Sequence, residues 1–383
     1  MPIIAQRFKH FGAKMYINSE RLWMQSLYNL TFEELQTYAA DHHFKPFVAK
    51  QIFAWLYQRY ATSFDQMHNL PKSLKTTLQR DFCIQNLKLL VKECSQDKSE
   101  KCLFATHDQH SFESVFMVMK EKQIGDKGQI LAQEKLTFCL SSQIGCKVGC
   151  VFCATAKGGF VRNLKAGEIV EQVVALKRMH SLEPTKGINL VFMGMGEPLH
   201  NFEQVVRSLK ILSHPHGLNI SPRRITLSTS GVVPMMDILG ALNLGVQLAI
   251  SLHAVNDELR SKLMPINKTY NIQELIKAAR RFPIDARKRL MFEYLVIKDY
   301  NDGLEHAKAL LRLLNGLRSK INLIPYNPTT HSKFERPDLE KVKQFADFLN
   351  QRGLLCTMRL SKGLDISAAC GQLREKTRGI SGA

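Results

Sequence analysis

The chain has no apolar run approaching the ~20 residues needed to cross a bilayer, which sets aside a helical membrane protein. Its opening, MPIIAQRFKHFGAKM, lacks the apolar stretch and small-residue cleavage site of a secretory leader, so a cytoplasmic protein is expected. Internal repeats and low-complexity segments are missing too, which removes repeat architectures. Acidic residues are scarce: 34 Asp and Glu face 53 Lys and Arg, giving a formal net charge of +19 and a pI near 9.6. That balance favours a polyanionic partner, nucleic acid first, although no compact Lys/Arg run or basic amphipathic helix stands out. Solubility or a lipid surface is the plainer reading of such charge. The nine cysteines, at 83, 94, 102, 139, 146, 150, 153, 356 and 370, do not make an even set, which argues against a structural disulfide framework in a reducing compartment. Three of them crowd into eight residues, so metal or redox chemistry becomes the question.

With 383 residues and 45% hydrophobic content the chain can bury a sizeable core, as two domains or as one barrel with an accessory segment. Residues 27–95 read as helical. Thr31 and Glu34 have the spacing of a capping box. A second helix over 45–60 places Phe47, Ile52, Phe53, Leu56 and Tyr57 near one side, and a third follows Leu70-Pro71. Residues 102–119 and 129–141 read as strands joined by a hairpin around Gly125-Asp126-Lys127-Gly128. Beyond them β-rich runs at 188–196, 223–231, 246–254, 289–297, 320–328 and 354–361 alternate with helical patterns at about 167–181, 202–213, 232–241, 271–282, 303–316 and 337–352. Such alternation implies a parallel sheet with helices outside, and the chemistry of that architecture sits at the carboxyl ends of the strands. The expected division is a helical accessory domain over 1–95 and an α/β barrel with a β extension over 96–383.

The strand LTFCLSSQIG runs straight into Cys146-Lys-Val-Gly-Cys150-Val-Phe-Cys153. Three thiolates in one loop can hold three irons of a cubane cluster and leave the fourth open, as a catalytic centre requires. A zinc site or coincidental cysteines are the alternatives, but a zinc knuckle would want a fourth ligand at fixed spacing that the nearby sequence lacks. With Phe152 in its aromatic position, Cys-x3-Cys-x-aromatic-Cys resembles the signature of the radical S-adenosylmethionine (SAM) superfamily. The resemblance implies a [4Fe-4S] cluster on Cys146, Cys150 and Cys153. Its open iron would chelate SAM, and reductive cleavage would yield an adenosyl radical.

Gly194-Met195-Gly196-Glu197-Pro198 ends a strand, where glycine lets backbone approach a ligand and Glu197 offers an acceptor for an ammonium group. A common glycine turn is the bland alternative. In the superfamily the matching segment, here Gly196 and Glu197, binds the amino group of the methionyl moiety. Ser228, Ser251 and Asn327 lie at later strand ends and suit ribose hydroxyls and a carboxylate, although each alone is more often a turn former. Leu252 and His253 join this cofactor-binding set. A lone His at a strand end is usually structural, so His253 is assigned binding through backbone or ring, not acid–base work.

Cys139 lies on the strand entering the cluster loop, and Cys370 sits in DISAACGQL among small residues that leave a thiol accessible. The segments SSQIGC, GCVFCATA, VFMGMGEPL, TLSTSGVVP, ISLHA-x-ND, LMPINK, INLIPYNP and DISAACGQL closely resemble the RlmN/Cfr family of RNA adenine methyltransferases, in the family's order, from about 100 to 373. Only Ser367 departs, where aspartate is more usual. The fold this implies is α/β: a partial (β/α)6-type radical SAM barrel with a β extension and a small N-terminal helical accessory domain expected to bind RNA. The chemistry it implies uses two SAM per turnover. Cys370 accepts a methyl group from the first; the radical from the second takes hydrogen from that S-methyl, and the carbon radical adds to adenine. Cys139 then attacks the thioether-linked intermediate, forming a disulfide with Cys370 and freeing the product, while Glu113 in SFESVFM matches the family's proton acceptor. A surface glutamate on a strand is the structural alternative for Glu113.

Gly-Glu-Pro-Leu and Ser-Thr-Ser-Gly resemble the branch that methylates carbon 2 of adenosine in 23S rRNA and tRNA, not the branch that methylates carbon 8. A monomer served by an electron donor such as flavodoxin, with no membrane attachment, completes the expectation. Arg162, Lys165, Arg223 and Arg224 are candidate phosphate contacts. A radical enzyme for a small molecule or peptide would not need Cys139, Cys370 and the basic surface together. A non-catalytic iron–sulfur RNA-binding protein would not turn over SAM.

Overall fold

The computed structural model describes residues 24–374 apart from 85–86, 125–129, 286–287 and 331. Ten strands form one mixed sheet. In chain order they are β1 (Lys88–Cys94), β2 (Glu100–Ala105), β3 (Ser111–Lys120), β4 (Lys135–Cys139) and β5 (Ile188–Phe192). β6 (Ile225–Thr229), β7 (Gln247–Ser251), β8 (Leu290–Val296), β9 (Ser319–Pro325) and β10 (Cys356–Met358) follow. Each strand pairs with its neighbours in sequence, antiparallel from β1 to β4 and parallel from β4 to β10. Among the described residues β1 and β10 are free edges, so the barrel is partial.

Parallel neighbours need crossovers, and amphipathic helices supply them. Those between β4 and β10 include α4 (Ala166–Met179), α5 (Phe202–Ser213), α6 (Val233–Leu242), α8 (Ile272–Arg281), α9 (Leu304–Leu313) and α10 (Leu339–Asn350). Strands covered on both faces need side chains that pack in both directions, and all seven residues of β8, LMFEYLV, are buried. A further short helix, α7 (Asp257–Leu263), was not expected. Its start is nevertheless written in the sequence: Asn256 caps it by accepting the Leu259 amide at 2.8 Å, and Asp257 and Glu258 fill the first turn.

The N-terminal unit holds α1 (Phe32–Asp41), α2 (Val48–Tyr57) and α3 (Lys72–Asp81). Thr31 and Glu34 form the expected capping box, with bonds of 2.9 and 3.3 Å. Tyr28 and Tyr57 meet edge to face at 5.6 Å, and Phe32 stacks on His214 at 4.4 Å. Asn29 accepts the Gly167 amide at 2.6 Å, so the unit docks on α4 and α5 and shares one apolar core with the barrel.

Three local readings are corrected. Residues 88–94 are not helical: they form the edge strand β1, which pairs antiparallel with β2. The stretch 102–119 is two strands, broken by a turn in which Gln109 adopts φ 63° and Thr106 bonds Asp108 at 2.5 Å. The second helix begins at Val48, and Phe47 is 58% exposed instead of joining the buried side. The hairpin turn read at 125–128 lies outside the described residues, although Gln123–Ile124 and Ile130–Ala132 on either side pair antiparallel.

Candidate active site

The carboxyl ends of β5 to β9 open on a cavity of about 150 Å³, and Cys146, Cys150 and Cys153 all line it. The cluster loop is held from both sides. Gln143–Gly145 pairs with Phe160–Asn163, and the Cys146 amide bonds the Gly159 carbonyl at 2.8 Å. Val151 donates to the Leu263 carbonyl at 3.1 Å, tying the loop to α7. Burial pushes the Cys146 thiol up to about 12 and raises Cys150 well above the ordinary thiol value, so iron must displace protons to bind. Among the described residues no three His, Cys, Asp or Glu side chains converge on a single ion. Three soft sulfur donors around a shared space fit a multi-iron cluster.

Opposite the cysteines lies a cradle of backbone and buried polar groups. Gly196 has φ 103°, and a Cβ there would stand 2.6 Å from the Cβ of Gln143, so only glycine fits. Gln143 in turn accepts the Glu197 amide at 2.8 Å. The Glu197 carboxylate accepts from Leu199 at 3.0 Å and from Ser230 at 2.7 Å. Burial raises its pKa while these N–H groups oppose the shift, and its remaining lone pairs can receive a ligand ammonium. Ser228, Ser251 and His253 line the same cavity. His253 accepts the Leu295 amide on Nδ1 at 3.1 Å, and burial, aided by Arg260, lowers its pKa to about 3. The neutral ring therefore carries its proton on Nε2: a donor, not a base.

Leu252 does not line the cavity; its amide donates to the Glu293 carbonyl at 3.0 Å and its carbonyl accepts from Arg260 Nε at 3.1 Å. Arg260 was not singled out from sequence, where it looks like one more charge on a short helix. It is fully buried and also donates to the carbonyls of Ser230 (2.7 Å) and Ser251 (3.0 Å) and to Asn267 Oδ1 (2.9 Å). One guanidinium thus fixes the ends of β6 and β7 that form the cradle.

Cys370 lines this cavity and a smaller one of about 20 Å³ that it shares with Cys139, Met193 and Arg359. Both cysteines are free thiols. Burial pushes Cys139 up to about 12 and raises Cys370, while the Arg359 guanidinium, 3.8 Å from the Glu293 carboxylate, opposes both shifts. The Cys370 loop is pinned at several points. Asn327 Nδ2 donates to the Cys370 carbonyl at 3.2 Å and to Ser361 Oγ at 2.9 Å, and the Ala154 amide donates to the Gly371 carbonyl at 2.7 Å. Asn327 therefore sits behind the thiol loop and not on the large cavity. Asp365 accepts from Ser95 Oγ at 2.6 Å and from the Gln96 amide at 3.1 Å, and Asp97 accepts the Gly363 amide at 2.9 Å.

Glu113 is fully buried on β3, outside both cavities, beneath the main-chain N–H of Arg374, which donates to its carboxylate. Burial raises its pKa, and the Lys101 ammonium 3.5 Å away works against that rise.

Two family profiles match this chain: the radical SAM superfamily over residues 140–314, and the ribosomal RNA large subunit methyltransferase N-terminal domain over 25–84. A dual-specificity RNA methyltransferase RlmN from Wolinella succinogenes is 57% identical over 353 residues, which is 92% of this chain and 97% of the relative. Its counterpart from Helicobacter hepaticus is 55% identical over 92% and 95% of the two chains. A solved radical SAM methyltransferase from Sphaerobacter thermophilus superposes with a TM-score of 0.83 at 42% identity, over 92% of this chain and 100% of that one.

Proposed function

This chain belongs to the RlmN family of radical SAM RNA methyltransferases, and on that premise we propose that it methylates carbon 2 of one adenosine in 23S rRNA and of the adenosine beside the anticodon in tRNAs. The observation that carries the reading is the shared placement of the thiols: Cys370 borders both the cavity of the cluster cysteines and the small one that holds Cys139. A [4Fe-4S] cluster held by Cys146, Cys150 and Cys153 would supply one-electron cleavage of SAM.

The chain's own residues do the rest. Glu197 receives the ammonium group of SAM, and the Ser228, Ser251 and His253 positions contact the rest of the cofactor, with the Leu252 backbone keeping that strand end in place. Cys370 gives up its thiol proton and takes the methyl group, and Asn327 holds the carbonyl of the same residue. Cys139 later attacks the Cys370 sulfur of the RNA adduct, so that a disulfide forms as the carbon–sulfur bond breaks. The departing carbon keeps the bonding pair and takes a proton to become the methyl group, and the electron donor returns the disulfide to two thiols. Glu113 takes the proton lost from the adenine carbon. Two SAM are used per turnover, one as methyl donor and one as radical source.

Among the described residues no helix is long and apolar enough to cross a membrane. A monomer in the cytoplasm, reduced by a donor such as flavodoxin, completes the reading. The test is nucleoside mass spectrometry of RNA from a strain lacking the activity, after incubation with reconstituted enzyme, SAM and reductant. The expected product is 2-methyladenosine. Recovery of 8-methyladenosine would overturn the carbon-2 assignment, and no methylated adenosine at all would overturn the whole reading.

A further inference from the structure

Three charged side chains lie in a row across one face of the antiparallel extension. Glu93 on β1 stands directly opposite Lys101 on β2. Glu113 on β3 stands opposite Leu103, two positions along from Lys101 and therefore on the same face. The Lys101 Nζ is 2.7 Å from Glu93 and 3.5 Å from Glu113. Side-chain exposure falls from 36% at Glu93 to 2% at Lys101 and 0% at Glu113, so the row runs from the rim of the sheet into its interior. We propose that Lys101 is a positioning residue for the methylation reaction: its ammonium holds the buried Glu113 in the ionised form that accepts a proton, and Glu93 moderates that hold from the edge strand. The proposal rests on the reading of Glu113 as proton acceptor.

The physical case is a competition. A carboxyl sealed from water reverts to its neutral form unless a positive charge is near, and a neutral carboxyl is no base. Lys101 supplies that charge. Among the described residues the other charge that bears on Glu113 from this face is Glu93, which repels its carboxylate and so pushes the opposite way, while Cys139 on the adjoining strand is kept neutral by burial. The C-terminal segment contributes the main-chain N–H of Arg374, which favours the ionised form. Below, Met195 Sδ takes the Glu113 amide at 3.4 Å and carries no charge.

Opposite signs follow for two substitutions, and a merely structural role would not produce them. In Lys101→Met the acid limb of the pH–rate profile for single-turnover RNA methylation should move to higher pH by about one unit or more, a roughly tenfold loss at a fixed pH on that limb. In Glu93→Gln, on the accessible edge where folding is safe, the limb should move to lower pH. Lys101→Arg should restore most of the wild-type profile. Infrared titration of the full-length protein gives a readout independent of turnover: the carbonyl band of a protonated buried carboxyl should appear at neutral pH in Lys101→Met and vanish when Glu113→Gln is added.

If the limb is unmoved, or moves the same way in both variants, the proposal falls. If Lys101→Met does not fold, the direction of the Glu93→Gln shift decides. Normal methylation by Glu113→Gln would instead remove the proton-acceptor reading, and the infrared titration would still report whether Lys101 sets the charge of Glu113.

Discussion

Cys139 and Cys370 carry the same functional group in adjoining positions, yet the proposed mechanism asks for opposite behaviour from them. In that reading Cys370 is alkylated and borders the large cavity, whereas Cys139 stays unmodified until an adduct exists and is buried beside Val115 and Val191 on neighbouring strands. Cys370→Ala should keep its iron content and SAM binding but yield neither methylated thiol nor RNA product. Cys139→Ala should still load the methyl group and then stall as a covalent protein–RNA species, seen as a band that survives denaturation and requires RNA, reductant and Cys370. A Cys139→Ala enzyme that turns over normally would refute the division of labour. The family resemblance marked both thiols for attention, but not what makes them usable. Arg359, beside both sulfurs, lies eleven positions before Cys370 in an unremarkable run, CTMRLSKG, and only the fold brings it to them.

At the scale of elements, the β extension and the thiol loop are one device. The turn between β1 and β2, closed by the Ser95 amide on the Ser99 carbonyl at 2.8 Å, receives Asp365 and returns Asp97 to the Gly363 amide. Asp365 has no burial of its own and its bonds are to solvent-accessible groups, so removing it should barely alter global stability. Asp365→Ala should instead free the loop. Methylation of Cys370, followed by peptide mass spectrometry, should slow by about threefold to tenfold, with the melting temperature nearly unchanged. An unaltered loading rate would mean that Asn327 and the Gly371 contact suffice. The same region shows where sequence reading stops. Six strand–helix alternations were legible because each is a local periodicity. β1 was not, because LLVKEC is exposed along an edge and has no buried face to declare itself. Ser367, where aspartate is usual in the family, holds φ 52° with its amide on the Leu364 carbonyl at 3.2 Å, so the loop keeps its turn without the acid.

Across the whole molecule, composition foresaw a polyanionic partner but not where it touches. Arg162, a plausible phosphate contact from sequence, is spent internally: it binds Asp108 at 2.7 and 2.8 Å and Glu168 at 2.8 Å, bracing the hairpin that leads out of the cluster loop. Arg223 remains 75% exposed. With a net charge of +19, RNA affinity should fall by tenfold or more between roughly 50 and 200 mM salt, measured by filter binding or fluorescence anisotropy. A flat salt dependence would exclude a phosphate-dominated interface. The cluster loop and GMGEP stood out as short motifs, and the two thiols drew notice through the family resemblance of the segments around them. Arg260 and Lys101 were not, because a buried cation is defined by what surrounds it. One contact also sets an order in time. Ser95 and Asp365 are 270 residues apart in the chain. During synthesis the β extension and every cluster cysteine emerge long before the segment that carries Cys370, and a closure of that span is among the last to form. A nascent chain can therefore hold all three proposed cluster cysteines before the proposed methyl carrier, Cys370, has been made.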